Sequence, residues 1–312
     1  MRAARCLALA LLLAGCSTRL PESSGLTLTG DTLGVQPFGP RFEDARALAA
    51  DPSGRLYVVD AGAAAVQTLA PDGRLLATLG GPGTGDYAFL DPADVDPTNG
   101  LVLAVADAGN GRIQRFSFDG QLVETLRVAP DLDETDGPRS SRFGAPDDGG
   151  DTSETGAGRP VAVASAVTGE LFAVEELRGV VLRWNDRERS VRVVGGIEAG
   201  AGALRGPVGL ALGPDGRLFV ADRGHAAVLV YDAFGSYLRR IASGVARDIR
   251  AVGVIGERLV LVLPRQALVY GLDGRQRRVL AFDLAEPLVD AAGAEDGLVL
   301  LTSTRLYRAA LP

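Results

Sequence analysis

The chain has 312 residues, with 32 basic side chains against 39 acidic ones, a net charge of −7 and an isoelectric point near 4.9. Every basic residue is an arginine. The acidic balance argues against a nucleic-acid partner. Both cysteines, Cys6 and Cys16, lie at the extreme N-terminus, so the rest of the chain has no thiol for a disulfide, a nucleophile or a cysteine metal site.

In chain order, residues 1–15 read as an export signal. Arg2 and Arg5 supply a charged start, and Leu7 to Leu13 form an apolar run too short to span a bilayer. Leu13-Ala14-Gly15-Cys16 resembles the lipobox of bacterial lipoproteins, in which cleavage before the cysteine frees a thiol that carries lipid. The resemblance implies lipidation of Cys16, a tether over 16–25 and a cell-envelope location anchored to the membrane. Ser17 after the cysteine leans towards the outer membrane.

From residue 26 to 312 the chain repeats itself. Arg55-Leu-Tyr-Val-Val-Asp60-Ala-Gly returns as Leu101-Val-Leu-Ala-Val-Ala-Asp107-Ala-Gly and as Arg217-Leu-Phe-Val-Ala-Asp222-Arg-Gly. Asp60 and Asp107 are 47 positions apart, as are Glu175, in a degenerate copy, and Asp222. Each unit holds a short apolar strand, a Pro/Gly/Asp turn, two longer strands, an Asp-Gly turn and a closing strand. The Asp-Gly and Asn-Gly turns supply the positive φ that tight hairpins require. Four antiparallel strands in a unit of this length predict a propeller blade.

Six units are visible, the last with only three strands before the chain stops. Leu26-Thr-Leu-Thr and Leu33-Gly-Val supply the missing fourth, with Gln36-Pro-Phe-Gly-Pro-Arg-Phe read as the linker into the first blade. The expected fold is therefore all-β, a six-bladed β-propeller whose N-terminal strand closes the last blade. Residues 129–158, rich in Asp, Gly, Ser, Thr and Pro, read as a loosely held acidic loop inserted between the second and third blades.

Asp107-Ala-Gly-Asn-Gly-Arg-Ile-Gln-Arg-Phe-Ser-Phe-Asp-Gly resembles the NHL repeat. The resemblance runs over about residues 26 to 312. It is strong around Asp60, Asp107 and Asp222, and poor in the third and fifth units, where Glu175 and Leu263 stand in the Asp position.

Candidate chemistry is sparse. The recurring aspartates read as caps of their own turns, because catalysis seldom needs one group per blade. His225 is the only histidine, which removes the usual zinc site and a serine–histidine relay, and with them the histidine-dependent propeller lyases and lactonases. A calcium site would need several oxygen ligands near the channel. The inner strands place Arg46, Asp94, Arg250 and Asp290 there, and their mixed signs point to channel ion pairs rather than a metal cage. Asp131-Leu-Asp-Glu-Thr-Asp-Gly137 starts like an EF-hand, but Arg142 stands where the bidentate Glu belongs. Trp184 and Tyr231 are expected to pack between blades.

These features describe a binding or scaffold module for an envelope protein or glycan, without a cofactor or metal. Its partner face would carry Asp60, Asn110, His225 and the insert. The competing reading is an enzyme, a calcium-dependent lactonase or related hydrolase working in the channel.

Overall fold

In a computed structural model of the protein, residues 31–97, 101–128, 140–141, 158–185, 190–245, 247–295 and 297–310 are described. Cys16, the tether, Leu26 to Thr29 and nearly all of the 129–158 insert lie outside them. The described residues form six antiparallel sheets with almost no helix, and each sheet is one blade of a propeller.

The first blade runs Ala45–Ala50, Leu56–Asp60, Ala65–Leu69 and Leu75–Gly80. The second holds Pro92–Asp96, Val102–Asp107, Arg112–Ser117 and Leu122–Arg127, with Ser140–Ser141 added to its outer edge. That added strand is a correction: part of the insert is paired, through Thr125 with Ser141 and Leu126 with Ser140. The third comprises Pro160–Ser165, Leu171–Glu175, Val180–Asn185 and Ser190–Val194. The fourth comprises Pro207–Leu212, Leu218–Asp222, Ala227–Tyr231 and Tyr237–Ile241. Ala251–Ile255, Arg258–Leu263, Gln266–Gly271 and Gln276–Phe282 make the fifth, and Leu288–Ala294, Gly297–Thr302 and Arg305–Ala310 begin the sixth.

The N-terminal segment does close the sixth blade, but with different residues from those expected. Val35–Arg41 pairs antiparallel with Arg305–Ala310, from Val35 opposite Ala309 to Arg41 opposite Arg305. Its likeness to the segments that end other blades suggests a linker, and it contains Pro37 and Pro40. As an outermost strand it needs no N–H on its free edge, so proline is tolerated there. Asp31–Leu33 instead runs parallel to the outer strand of the fifth blade, opposite Leu280–Phe282. One short segment therefore stitches two blades together.

Packing explains why the ring stays shut. Six apolar clusters fill the six gaps between blades, one per gap. Trp184, 1% exposed, packs with Ile113 and Leu126 of the second blade. Tyr231, fully buried, packs with Val181 and Phe172 of the third blade and donates to the Gly202 carbonyl at 2.5 Å. The seam between first and sixth blades is as apolar as the others, with Leu48, Val58 and Leu69 against Val299 and Leu301. A propeller has no other core, so these interfaces carry its hydrophobic stabilisation.

Candidate functional site

The innermost strands of all six blades surround a channel cavity of about 230 Å³, walled mainly by Ala, Val and Gly. Arg46, Asp94, Arg250 and Asp290 all line it. The expected ion pairing among them is absent. Asp290 accepts the backbone N–H of Leu48 at 2.8 Å and that of Ala291 at 2.7 Å. Asp94 accepts those of Val163 and Val95, both at 2.8 Å. Leu48 and Val163 belong to the inner strand of the next blade. The channel-side edge of such a strand has no ladder partner, so its N–H groups need another acceptor. Asp96 makes the same kind of contact with the Ser165 N–H. These aspartates are inter-blade staples.

Depth in the ring sets their protonation. Burial pushes the Asp290 carboxyl up to about 7, against the pull of its two N–H donors. Asp94 is also raised well above the usual carboxylate range, by burial first and then by the charges of Asp290 and Asp96.

The acid that ends the second strand of each of the first four blades does not merely cap its own turn. Asp60 reaches the loop that enters its blade, accepting from the Glu43 and Asp44 N–H groups at 3.1 and 2.9 Å. Asp107 does so with Leu90 and Asp91, and Asp222 with Arg205 and Gly206. Glu175, in the degenerate third unit, fills the same role for Arg159 and also binds the Arg178 guanidinium at 2.9 Å. Its pKa is lowered: burial would raise it, and these donors outweigh burial.

The glycine two places on completes the joint. A Cβ at Gly62 would stand 2.5 Å from Glu43 Cβ, one at Gly109 2.8 Å from Asp91 Cβ, and one at Gly224 2.6 Å from Arg205 Cβ. The Asp-x-Gly repeat thus serves a close approach of two loops. In the third blade Leu177 stands in the glycine position, and Gly158 stands where the others carry Glu43, Leu90 and Arg205. The missing side chain has changed sides.

The residues expected to form a partner surface are spent in this framework. Asp60 is 1% exposed. Asn110 donates to the Gly83 carbonyl at 3.0 Å and to Asp107 at 2.6 Å. His225 donates its N–H to Asp222 at 2.8 Å, and its ring Nε2 lies 2.8 Å from the Ala203 carbonyl.

What does face outward at the channel mouth is a rim of charge that sequence reasoning missed, apart from Arg46 and Arg250. Arg46 pairs with Asp44 at 3.0 Å and with Asp91, and Asp91 in turn binds Arg159 at 2.9 Å. Arg159 also holds Glu176 at 2.8 Å. This chain of alternating charge spans the first three blades. On the fourth and fifth, Arg223 and Arg250 have no carboxylate within ion-pair distance among the described residues, and both are exposed. Aligning the units at their entering loops brings Asp44, Asp91, Arg159 and Arg250 to one position, immediately before the inner strand. That signal was available in the sequence.

Comparison with known proteins agrees on architecture. The NHL repeat family matches residues 204–231, the entering loop and first three strands of the fourth blade. No curated protein matches the chain by sequence. Among solved structures it is similar to the gluconolactonase of Xanthomonas campestris, with a TM-score of 0.60 at 15% identity over 89% of each chain. A catalytically inactive histidine-to-alanine variant of virginiamycin B lyase from Staphylococcus aureus, solved with quinupristin, gives 0.55 at 12% identity, covering 89% of this chain and 88% of that one. A chain of the nidogen/laminin complex gives 0.57 at 14% identity, covering 80% and 84%. The chain is a six-bladed β-propeller that carries an NHL repeat, and these likenesses reach the fold alone.

Proposed function

We propose that the protein is a non-catalytic binding module of the cell envelope, held to a membrane by lipid on Cys16 and presenting its channel mouth to a protein or glycan. The observation that carries this reading is the occupation of its most reactive side chains. The channel acids Asp94 and Asp290 are each committed to two backbone N–H groups. The sole histidine is bound at both ends of its residue. Rigid blades with loop-built mouths suit recognition, since loops vary without disturbing the core. The similarity to a chain of the nidogen/laminin complex is in keeping with a propeller that binds another protein.

A channel hydrolase is the second reading, favoured by two carboxylates on one small cavity and by the likeness to a gluconolactonase. Metal content by elemental mass spectrometry, followed by turnover on a panel of lactones and esters with and without calcium, separates the two. Stoichiometric calcium with turnover lost in Asp94→Asn would overturn the binding reading. No turnover, with a partner cross-linked at the channel mouth, supports it.

A further inference from the structure

We propose that Arg223 and Arg250 form an oxyanion-binding site at the channel mouth, taking a carboxylate or phosphate group of the bound partner. The proposal deepens the binding reading by naming the ligand's chemistry. Arg223 Nε donates to the Ile249 carbonyl at 2.9 Å, which fixes its guanidinium beside the residue that precedes Arg250. Arg250 stands on the wall of the channel cavity. Two exposed arginines are thus held together on one rim in a protein of net charge −7.

Such a pair has a cost that the fold does not relieve. Asp248 and Glu176 pull on Arg223 from a distance, yet neither reaches ion-pair contact. Partial burial and the neighbouring Arg250 charge together hold the Arg223 pKa below the usual arginine range. Across the mouth, Arg46 and Arg159 are each met by two carboxylates. On the sixth blade, Glu286 is taken up by the hydroxyls of Ser303 and Thr304. Among the described residues, the rim arginines without an ion-pair partner lie on the fourth- and fifth-blade side, where Arg205 is a further exposed cation on the loop packed against Gly224.

A guanidinium pair presents planar forks of N–H donors that match carboxylate and phosphate oxygens two at a time. The cavity beneath, about 230 Å³ and walled by small side chains, has room for a few atoms beyond the anion itself. A ligand seated there would place its charged end on the arginines and its body over the neutralised rim.

The test is calorimetric titration of the full chain with sodium phosphate and with sodium glucuronate, at constant ionic strength in chloride. Arg223→Gln/Arg250→Gln is compared with Arg275→Gln, which removes a charge that is 82% exposed on a third-to-fourth-strand turn, away from the mouth. The expected result is one anion bound per chain and an affinity at least tenfold weaker in the double variant, with Arg275→Gln unchanged. Saturation by phosphate alone or by glucuronate alone identifies which oxyanion the site takes. Equal affinity in all three proteins, or no binding of either anion by the wild type, overturns the proposal. Melting temperature is followed in each variant, so that a lost site is told from a lost fold. Turnover of a lactone or ester with anion binding intact would instead overturn the non-catalytic reading and leave this site standing.

Discussion

The Asp290 carboxylate accepts the backbone N–H of Leu48 at 2.8 Å, across 242 positions of sequence. The bond joins the inner strand of the last blade to that of the first, at the seam where the ring closes. Asp94 and Val163 repeat the arrangement between the second and third blades. These two acids hold neighbouring blades together at the axis while the apolar clusters do so further out.

Their raised pKa values give a sign to the pH dependence. A carboxyl whose folded pKa lies above its unfolded value of about 3.9 stabilises the fold fully below that value. The contribution fades as pH rises through the folded pKa, which for Asp290 is about 7. Glu175 and Glu286 act oppositely, because their folded pKa values are lowered: Glu175 by donors that outweigh its burial, Glu286 by the Thr304 hydroxyl foremost. Their contribution is present above about pH 4 and lost in acid. Melting temperature should therefore fall between pH 5 and pH 8, and Asp290→Asn should flatten that decline. An unchanged slope in the variant would show that Asp290 titrates as an ordinary carboxyl.

The charged pairs differ in weight according to burial. Asp107 and Arg112 meet at 3.1 Å with both side chains almost fully enclosed. Asp107→Ala would leave that guanidinium buried without its counter-charge, at a cost of about 3–5 kcal/mol. Arg46→Ala, on the exposed rim, should change stability by about 0–1 kcal/mol. Chemical denaturation of the two variants side by side checks the order.

Gln114 is fully buried, and neither its amide nitrogen nor its side-chain carbonyl oxygen has a partner among the described residues. Gln67, its counterpart in the first blade, reaches Asp60 at 3.4 Å. Gln114→Met should be neutral or stabilising by about 1 kcal/mol, because an unpaired buried amide costs more than the thioether that replaces it. Gln67→Met should not stabilise. Loss of more than about 1 kcal/mol in Gln114→Met would reveal a bound water satisfying that amide.

Closure rests on the N-terminal segment. Deleting residues up to Arg41 removes the fourth strand of the sixth blade together with Asp31–Leu33 on the fifth. The exposed edge of Arg305–Ala310 would then be free to pair with other chains. Such a truncation should be expressed largely as aggregate. A monomeric, cooperatively melting product would show that three strands suffice for that blade.

Most of the architecture was legible in the residues. Alternating strands ending at Asp60, Asp107 and Asp222, with Asp-Gly turns between, specify a blade without reference to anything distant. The turn glycines adopt the positive φ expected of them, as at Gly120 with φ of 82°. The misplaced closing strand followed from matching Gln36-Pro-Phe-Gly-Pro-Arg-Phe to the linkers that end other blades, because a local match does not show which strand a segment pairs with. The site was less legible. Arg46, Asp94, Arg250 and Asp290 line the channel cavity, but their contact partners could not be read from the repeats, since those lie one blade away or on the next loop.

Local pattern determined the all-β class and the number of blades, because strand alternation and turn residues are carried by neighbours in the chain. Which acid meets which donor was decided only when six blades closed into a ring. That step set Asp290 on Leu48, neutralised Arg46 and Arg159, and left Arg223 beside Arg250, because contacts between blades depend on angles and distances that no single repeat contains.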